Sequence, residues 1–220
     1  MGGRADDSYD GGVIEQAADG PSRHRAYRKG TRRRQQILES AIALFGQRGV
    51  DSSSLRTVAE AIGVSHTALQ HYFATRDELL VEVYRTHEAL TDDEESSAGK
   101  SAVGLIVAAA ERNRSIPGLV ELYATLTTDA LQERHAATRQ FVRDRFRSLR
   151  ATLAARIESA QRARRIPAGV DPLDLAALII AASDGLQIQW LLDPAAVDVG
   201  RSLSLLDLLL QRDQEPDGTA

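Results

Sequence analysis

The sequence predicts an all-α protein in which a small N-terminal helix-turn-helix domain precedes a larger helical domain. Apolar residues recur three and four positions apart along most of the chain, which is the spacing of a helix with one buried face. Proline and glycine breaks divide the chain into helix-length segments. The sequence has no alternating apolar run bounded by turn residues, the pattern that is typical of a strand.

The composition indicates a protein with a substantial core and no cysteine chemistry. The chain has 220 residues, of which 43% are hydrophobic and none is cysteine, so disulfides, thiolate nucleophiles and cysteine zinc sites are excluded. Residues 1–20 are acidic and glycine-rich, whereas a secretory signal needs a basic start and an apolar core. We therefore expect a cytoplasmic protein.

The charge is distributed unevenly along the chain. Residues 21–76 contain ten basic and three acidic residues, a net charge of +7, so the rest carries −11 of the total of −4. A basic head on an acidic body is typical of a protein that approaches nucleic acid with one end only.

The first helix is predicted over residues 31–47, after a disordered tail over residues 1–30 that lacks apolar periodicity. The basic end of the tail, residues 23–29, is either an arm that contacts DNA or a solvated run of charge. One face of the predicted helix carries Ile37, Ala41, Leu44 and Phe45.

The second and third helices are predicted from their caps and their apolar spacing. Ser53 or Ser54 caps the second helix, Gly63 permits the tight turn, and Ser65 caps the third helix. The apolar residues of the second helix are Leu55, Val58, Ala59 and Ile62. In the third helix, Leu69 and Phe73 face the core, while the outward residues are His66, Thr67, Gln70 and His71.

A fourth helix starts at a capping box formed by Thr75 and Glu78. Later helices are predicted over residues 100–114, 119–131, 135–163, 172–192 and 199–212. The most apolar of these, 172–192, contains Asp174 and Asp184, which would be costly in lipid. We therefore expect a buried or dimer-forming helix and no membrane partner.

Three stretches of this sequence together resemble a known DNA-binding domain. They are RQQILESAIALFGQRG at residues 34–49, VAEAIGVS at residues 58–65 and YFATRDELL at residues 72–80. As a set they resemble the DNA-binding domain of the TetR family of bacterial transcriptional regulators. DGLQIQWLLDP, at residues 184–194, resembles one subclass of regulatory domain in that family.

The resemblance implies a DNA-binding domain over residues 31–78, an effector-binding and dimerisation domain over residues 79–213, and a tail over residues 214–220. It also implies a homodimer that binds an inverted-repeat operator on double-stranded DNA and is released by a small-molecule effector. Thr67 and Gln70 stand where glycine and tyrosine are frequent in the family, so the operator cannot be copied from relatives.

The outward face of the third helix offers hydrogen-bonding groups to base edges. Gln70 is able to pair with adenine through two hydrogen bonds, and we expect Gln70 and His66 to read bases directly, with Thr67 and His71 adding single bonds. By resemblance, Tyr72 and Arg76 hold phosphates, supported by Ser53, Ser54, Arg56 and Thr67. We expect Arg76→Ala to weaken binding to all DNA sequences alike. The alternatives are bystander positions or, for Arg76, an exposed charge near the cap.

The last two predicted helices carry the residues expected at a dimer interface. Small residues let backbones approach, and branched apolar residues fill the space between them. The candidates are Ala176, Ala177, Ile180, Ala181, Gly185, Ile188, Leu203, Leu206 and Leu210. The alternative is that these residues form the subunit's own core.

An effector pocket is expected among the middle helices, largely apolar with a few polar groups. The candidates interrupt apolar helices and are Tyr123, Trp190, Gln187, Asp184, Arg112 and His135. Ordinary core packing or a dimer contact is the alternative for each of them.

Enzymatic function is excluded by the absence of a catalytic pattern. The five histidines include no pair with metalloprotease spacing, and the sequence has no glycine-rich phosphate loop or serine elbow. We therefore expect no catalytic residue, metal or cofactor. A DNA-binding dimer that acts without a small molecule, through a protein partner or constitutively, remains an alternative, as does an activator.

Overall fold

The computed structural model describes residues 21–48, 54–91 and 99–211, and these residues form nine helices and no strand. The prediction of an all-α fold is therefore confirmed. In chain order the helices are α1 (Pro21–Arg48), α2 (Leu55–Ala61), α3 (His66–Tyr72), α4 (Arg76–Thr91), α5 (Ala102–Arg114), α6 (Leu119–Asp129), α7 (Ala136–Arg162), α8 (Pro172–Leu192) and α9 (Val199–Gln211).

The first helix is longer than its sequence predicts. It begins at Pro21 rather than near residue 31, so residues 21–30 are helical in the structure. Proline at the first helical position has no amide hydrogen to leave unbonded, and the arginines that follow are good helix formers. The chain divides after Gln35 into two compact units, and the core and the sites lie in the second unit, from Gln36 onward.

The helix-turn-helix is closed by the caps that the sequence predicts. The Ser54 hydroxyl accepts a hydrogen bond from the Thr57 amide at 3.2 Å, and the Ser65 hydroxyl accepts one from the Ala68 amide at 3.1 Å. Gly63, at φ +71°, makes the turn between α2 and α3. The small core beneath these helices consists of Ile37, Leu38, Ala41, Phe45, Leu55, Val58, Ala59, Leu69 and Phe73, all buried.

The start of α4 has the predicted capping box, except that one of its two hydrogen bonds involves the residue before the cap. The Glu78 amide donates to the Thr75 hydroxyl at 3.1 Å, as expected. The Glu78 carboxylate, however, accepts from the Ala74 amide at 2.8 Å rather than from the amide of Thr75. The box therefore ties α4 to the residues that follow the recognition helix α3.

The hydrophobic core consists of two clusters. The first extends from the helix-turn-helix through Leu79, Leu80, Val83 and Tyr84 of α4 to residues of α6 and α7 such as Leu126 and Phe141. The second joins α5, the later part of α7, α8 and α9. Because α4 contributes buried residues to the same cluster as α6 and α7, this helix connects the DNA-binding half to the larger helical half.

The later helices match their predicted bounds within two residues, and α8 matches at both ends. Among the described residues, α8 alone is long and apolar enough to cross a membrane, with a mean hydropathy of 1.5. Leu175, Ala176, Ile179 and Ile180 of this helix are buried in the second core cluster. These contacts account for the apolar character of one face of α8.

Candidate DNA-binding surface and effector cavity

The outward face of α3 is available to a partner. Thr67, Gln70 and His71 are exposed and His66 is half-buried, whereas Leu69 is completely buried. The structure therefore brings the four predicted base-reading residues together on one side of a short helix. Tyr72 lies at the edge of this face, half-buried, with its ring edge-on to His71 at a centroid distance of 5.2 Å.

Several predicted phosphate contacts are already engaged within the protein. The Ser54 hydroxyl serves as the cap of α2, and Arg56 pairs with Glu60 at 3.1 Å on the exposed face of that helix. An exposed ion pair of this kind is weak, so Arg56 is able to exchange Glu60 for a phosphate at little cost. Ser53 lies outside the described residues.

Arg76 is placed differently from an exposed phosphate ligand. Its guanidinium Nη1 lies 3.4 Å from Oδ2 of Asp129, at the end of α6, and the two side chains are only 25% and 18% exposed. A phosphate contact by Arg76 would therefore compete with, or extend, an existing ion pair. The position of Asp129 could not be inferred from the sequence, because 53 residues separate the two partners.

A small cavity of about 30 Å³ lies between the helices of the larger half. It is lined from α4 by Tyr84, from α6 by Tyr123, from α7 by Arg145, and from α8 by Asp184 and Gln187. Three of the predicted effector residues, Tyr123, Asp184 and Gln187, therefore meet at one site. The side-chain amide of Gln187 donates to the Ser183 hydroxyl at 3.2 Å.

The electrostatics of this cavity are dominated by a buried arginine. The Arg145 guanidinium lies over the rings of Tyr84 and Tyr123, at 5.3 and 5.1 Å from their centroids, and pairs with Glu88. Its Nε atom is buried and has no hydrogen-bond partner among the described residues. Burying a donor without an acceptor is costly, so a bound molecule that supplied an acceptor there would be stabilised.

Burial also shifts the titration of the groups around the arginine. Desolvation raises the pKa of Asp184 to about 6, against the attraction of Arg145. The Tyr123 hydroxyl donates to the Asp184 carboxylate at 3.4 Å, and burial raises the pKa of Tyr123 to about 12. Asp184 is therefore the one cavity residue described here whose charge changes near neutral pH.

A second, smaller cavity adjoins the first and is mainly apolar. It has a volume of about 20 Å³ and shares Tyr123, Asp184 and Gln187 with its neighbour. The other lining residues are Val120, Ala124, Thr127, Ile188 and Leu191. The polar residues shared by the two cavities thus stand between an arginine-containing space and an apolar one.

The remaining three effector candidates do not line either cavity. Trp190 packs beneath Arg114, whose guanidinium lies 5.8 Å from the ring centroid. Arg112 lies in the last turn of α5, and its Nε is buried without a hydrogen-bond partner in the described part of the chain. His135 caps α7 beside Asp77, close to the start of α4.

Tyr84 and Arg145 are cavity residues that the sequence analysis missed. Arg145 follows the buried residues Phe141 and Val142 of α7 by one helical turn, so it lies on the buried face of that helix. A charged residue at an apolar position of a helix was the available signal.

The outer faces of α8 and α9 carry large exposed apolar residues. On α8 these are Leu173, Leu178, Ile188 and Leu192, and on α9 they are Leu205, Leu208 and Leu209. Of the predicted dimer residues, Ala177, Ala181 and Ile188 are exposed, while Gly185, Leu206 and Leu210 are half-buried. Ala176, Ile180 and Leu203 are at most 5% exposed and belong to the subunit's own core, which corrects the prediction for these three positions.

Two family models match the parts of the chain that carry these features. Residues 37–83, which include the exposed face of α3, match the model described as "Bacterial regulatory proteins, tetR family". Residues 120–212, which include most of the cavity and the exposed leucines, match "BetI-type transcriptional repressor, C-terminal".

The chain belongs to the TetR family of bacterial transcriptional regulators.

Curated members of the TetR family are similar to this chain over different lengths. The regulator TtgR of Pseudomonas putida is 28% identical over 183 residues, which cover 76% of this chain and 83% of TtgR. The regulator PksA of Bacillus subtilis is 40% identical over 62 residues, which are 28% of this chain and only 30% of PksA. These relatives are DNA-binding regulators, which confirms the prediction that the chain is not an enzyme.

Solved structures of TetR-family regulators share the fold. A regulator from a Rhodococcus species has a TM-score of 0.68 at 22% identity, covering 82% of this chain and 99% of its own. A transcriptional regulator from Saccharomonospora viridis, solved in complex with choline, has a TM-score of 0.66 at 23% identity, covering 83% of this chain and 97% of its own. At these identities the likeness shows the fold alone.

Proposed function

We propose that this TetR-family protein is a cytoplasmic repressor that binds an inverted-repeat operator as a homodimer and is released by a small-molecule effector. The observation that carries the proposal is the exposed face of α3, with Gln70 and His71 outward over the buried Leu69. A helix with hydrogen-bonding side chains outside and apolar anchors inside is suited to the major groove. The +7 charge of residues 21–76 favours approach to phosphates.

The exposed leucines support the homodimer. Leu178 and Leu192 on α8, and Leu208 and Leu209 on α9, are each more than half exposed. Apolar residues gathered on neighbouring helices are stabilised by contact with another apolar surface. A second copy of this chain offers the same surface, so a two-fold symmetric four-helix contact would bury both.

The effector acts in this proposal through α4. The same helix carries Arg76 next to α3 and Tyr84 in the wall of the cavity. A ligand that binds better to one orientation of α4 shifts the population toward it. Two recognition helices bind DNA together only when their spacing matches successive major grooves, about 34 to 36 Å apart, so a modest change in α4 releases the operator.

The nature of the effector is left open by known relatives. The Saccharomonospora regulator was solved with choline, and the FadR repressor of Thermus thermophilus, similar in fold, was solved with lauroyl-CoA. One is a small cation and the other a long acyl thioester. The cavity of this chain, with one arginine and Asp184 beside an apolar space, is compatible with a ligand that combines a polar group and an apolar body.

Selection of bound fragments from random double-stranded DNA tests the DNA-binding part. We expect an inverted repeat to be enriched and a fluorescence-labelled copy to bind with two subunits per site. Thermal-shift screening against a metabolite and drug panel then tests the effector part, because a ligand of the folded state raises its melting temperature. The proposal fails if no duplex is enriched at low ionic strength. If no stabilising compound releases the operator, the alternative of a ligand-independent regulator is favoured instead.

A further inference from the structure

A group of charged side chains joins the start of α4 to the end of α6 and the cap of α7. Arg76 Nη1 lies 3.4 Å from Asp129 Oδ2, and Asp77 Oδ2 lies 2.6 Å from His135 Nδ1. Arg134 Nε donates to His135 Nε2 at 3.0 Å. Because Nε2 accepts that bond, Nδ1 carries the proton and donates it to Asp77. We call Arg76, Asp77, Asp129 and His135 the α4 clasp.

The geometry of the α4 clasp does not suit a metal ion. His135 faces Asp77 with Nδ1 and Asp129, at 3.9 Å, with Nε2. One ligand atom of each of Asp77, Asp129 and His135 lies within 4.8 Å of the others, but these atoms are already engaged in contacts with one another and with Arg76. The Arg76 guanidinium, beside Asp129, would also repel a cation. The group therefore acts through its own hydrogen bonds and ion pairs.

The α4 clasp is a contact between α4 and α6 next to the recognition helix. A second contact between these helices is the ring stack of Tyr84 and Tyr123 at the cavity, with a centroid distance of 5.4 Å. Tyr84 lies about two helical turns beyond Arg76, and Tyr123 lies a little under two turns before Asp129. The helices are therefore held side by side at two points, one next to α3 and one next to the cavity.

The partners in the α4 clasp are largely shielded from water. The Asp77 and His135 side chains are 15% and 16% exposed, and Asp129 is 18% exposed. The ion pair of Arg76 with Asp129 is therefore screened less than a surface pair, and the hydrogen bond of His135 to the Asp77 carboxylate has a defined geometry. By contrast, the pair of Arg147 with Asp144 on α7 has exposures of 72% and 45%, so it is a matched surface pair that lacks these properties.

We propose that Asp129, through its ion pair with Arg76 and next to the Asp77–His135 hydrogen bond, is a positioning residue that holds the start of α4, and with it the recognition helix α3, at a fixed orientation to the larger half. This inference rests on the proposed function, because it concerns how the dimer presents its two α3 helices. Specific binding requires both helices in register with the operator. Binding to random DNA through phosphates tolerates a looser arrangement. Loosening the clasp therefore lowers discrimination rather than general affinity.

The variant Asp129→Asn removes the charge and keeps the shape, and Asp144→Asn is its matched control. We expect Asp129→Asn to weaken operator binding roughly 3- to 10-fold, within the range of pairwise couplings between contacting groups, while affinity for scrambled DNA stays the same or rises. In an Arg76→Gln background the same change should have little further effect on discrimination, because the partner is already absent. Stoichiometric titration with operator, at concentrations far above Kd, measures the binding-competent fraction of each sample.

A distance measurement without DNA reports the orientation directly. The chain has no cysteine, so Ala61→Cys, at an exposed position of α2, places one spin label on each subunit. Pulsed electron–electron double resonance then gives the distance between the two spin labels, and so between the two DNA-binding domains of a dimer. We expect Asp129→Asn to broaden this distribution and Asp144→Asn to leave it unchanged. Melting temperature, followed by circular dichroism, identifies a variant that is simply less folded.

The outcomes separate this inference from the proposed function. Absence of a dipolar signal in the parent, or of an operator, contradicts the proposed function itself. With both present, Asp129→Asn could raise the affinity for operator and for scrambled DNA by the same factor. That result would mean that Asp129 only shields Arg76 from phosphates, and it would overturn the positioning role. An unchanged distance distribution with unchanged discrimination overturns it as well.

Discussion

The rings of Tyr84 and Tyr123 stack at 5.4 Å between centroids with an angle of 27° between their planes. Tyr84 belongs to the helix that follows the recognition helix, and Tyr123 belongs to the larger half of the subunit. Arg145 lies over both rings. A molecule that enters the cavity beside these rings therefore contacts the connecting helix directly, without an intervening layer of structure.

Gln70→Ala should remove discrimination at one base pair in each half-site. Gln70 is exposed and Leu69 anchors the helix, so the substitution leaves the fold intact. A bidentate contact with a base contributes about 1 to 3 kcal/mol of discrimination. Fluorescence anisotropy on the selected operator, on operators with each base pair changed and on scrambled DNA measures the effect. Equal losses on all of these duplexes would contradict base reading by Gln70.

Leu209→Glu should dissociate the dimer. Leu209 is 62% exposed on α9, and a dimer that buries it would have to bury an unpaired carboxylate in the variant. Leu131→Glu is the control, because Leu131 is 82% exposed in the segment after α6 and belongs to neither α8 nor α9. Light scattering after size-exclusion chromatography gives the mass of each variant. A dimer that survives Leu209→Glu, or one that Leu131→Glu breaks, places the interface elsewhere.

The sequence was sufficient for features that depend on local chemistry. Ser54, Ser65 and Thr75 were predicted as caps because a hydroxyl satisfies free amides at a helix start, and all three do so. The bounds of α8 followed from Pro172 and from the break after Leu192. The long early part of α1 was missed, because it has no apolar face and helix propensity alone is a weak guide.

Features that depend on tertiary packing could not be predicted in the same way. Ile180 and Leu203 have the apolar character of dimer residues, but both are buried in the subunit. Only the tertiary structure shows which face of such an apolar helix is buried and which is exposed. The sequence predicts His135 as a pocket residue, yet its partner Asp77 is 58 residues away in the chain. Nothing in the local pattern indicates that pairing.

Asp184→Asn should stabilise the protein at neutral pH and lose this effect in acid. Burial raises the pKa of Asp184 to about 6 from 3.8, so the folded state binds a proton that the unfolded state releases between these values. The stability of the parent therefore falls as pH rises from about 4 to about 6, relative to the variant. The full difference is at most about 3 kcal/mol, and partial exposure reduces it.

Urea unfolding of the parent and of Asp184→Asn at several pH values between 4 and 8 measures this difference. The variant keeps an acceptor for the Tyr123 hydroxyl, so the change isolates the charge. We expect the gap between the two free energies of unfolding to open with rising pH and to level off above about 7, beyond the raised pKa. A constant gap across the series would contradict a raised pKa for Asp184.

Arg145→Met should destabilise the fold more than any loss of a surface charge. The substitution removes the cation that pairs with Glu88 and lies near Asp184, and Tyr84 and Tyr123 lose the group that lies over their rings. Removing one partner of a buried pair costs about 3 to 5 kcal/mol, and the partial exposure of Glu88 places the expected loss near or below the lower end.

Two companion variants identify the cause of that loss. Arg147→Met removes an exposed arginine from the same helix and should change the free energy of unfolding by no more than about 0.5 kcal/mol. Glu88→Gln in the Arg145→Met background removes the carboxylate with which Arg145 pairs, so part of the stability should return, whereas the loss of ring contacts should remain. Urea unfolding at pH 7.5 measures all three. If the double variant is no more stable than Arg145→Met, packing of the arginine against the tyrosine rings, and not charge, holds this part of the cavity together.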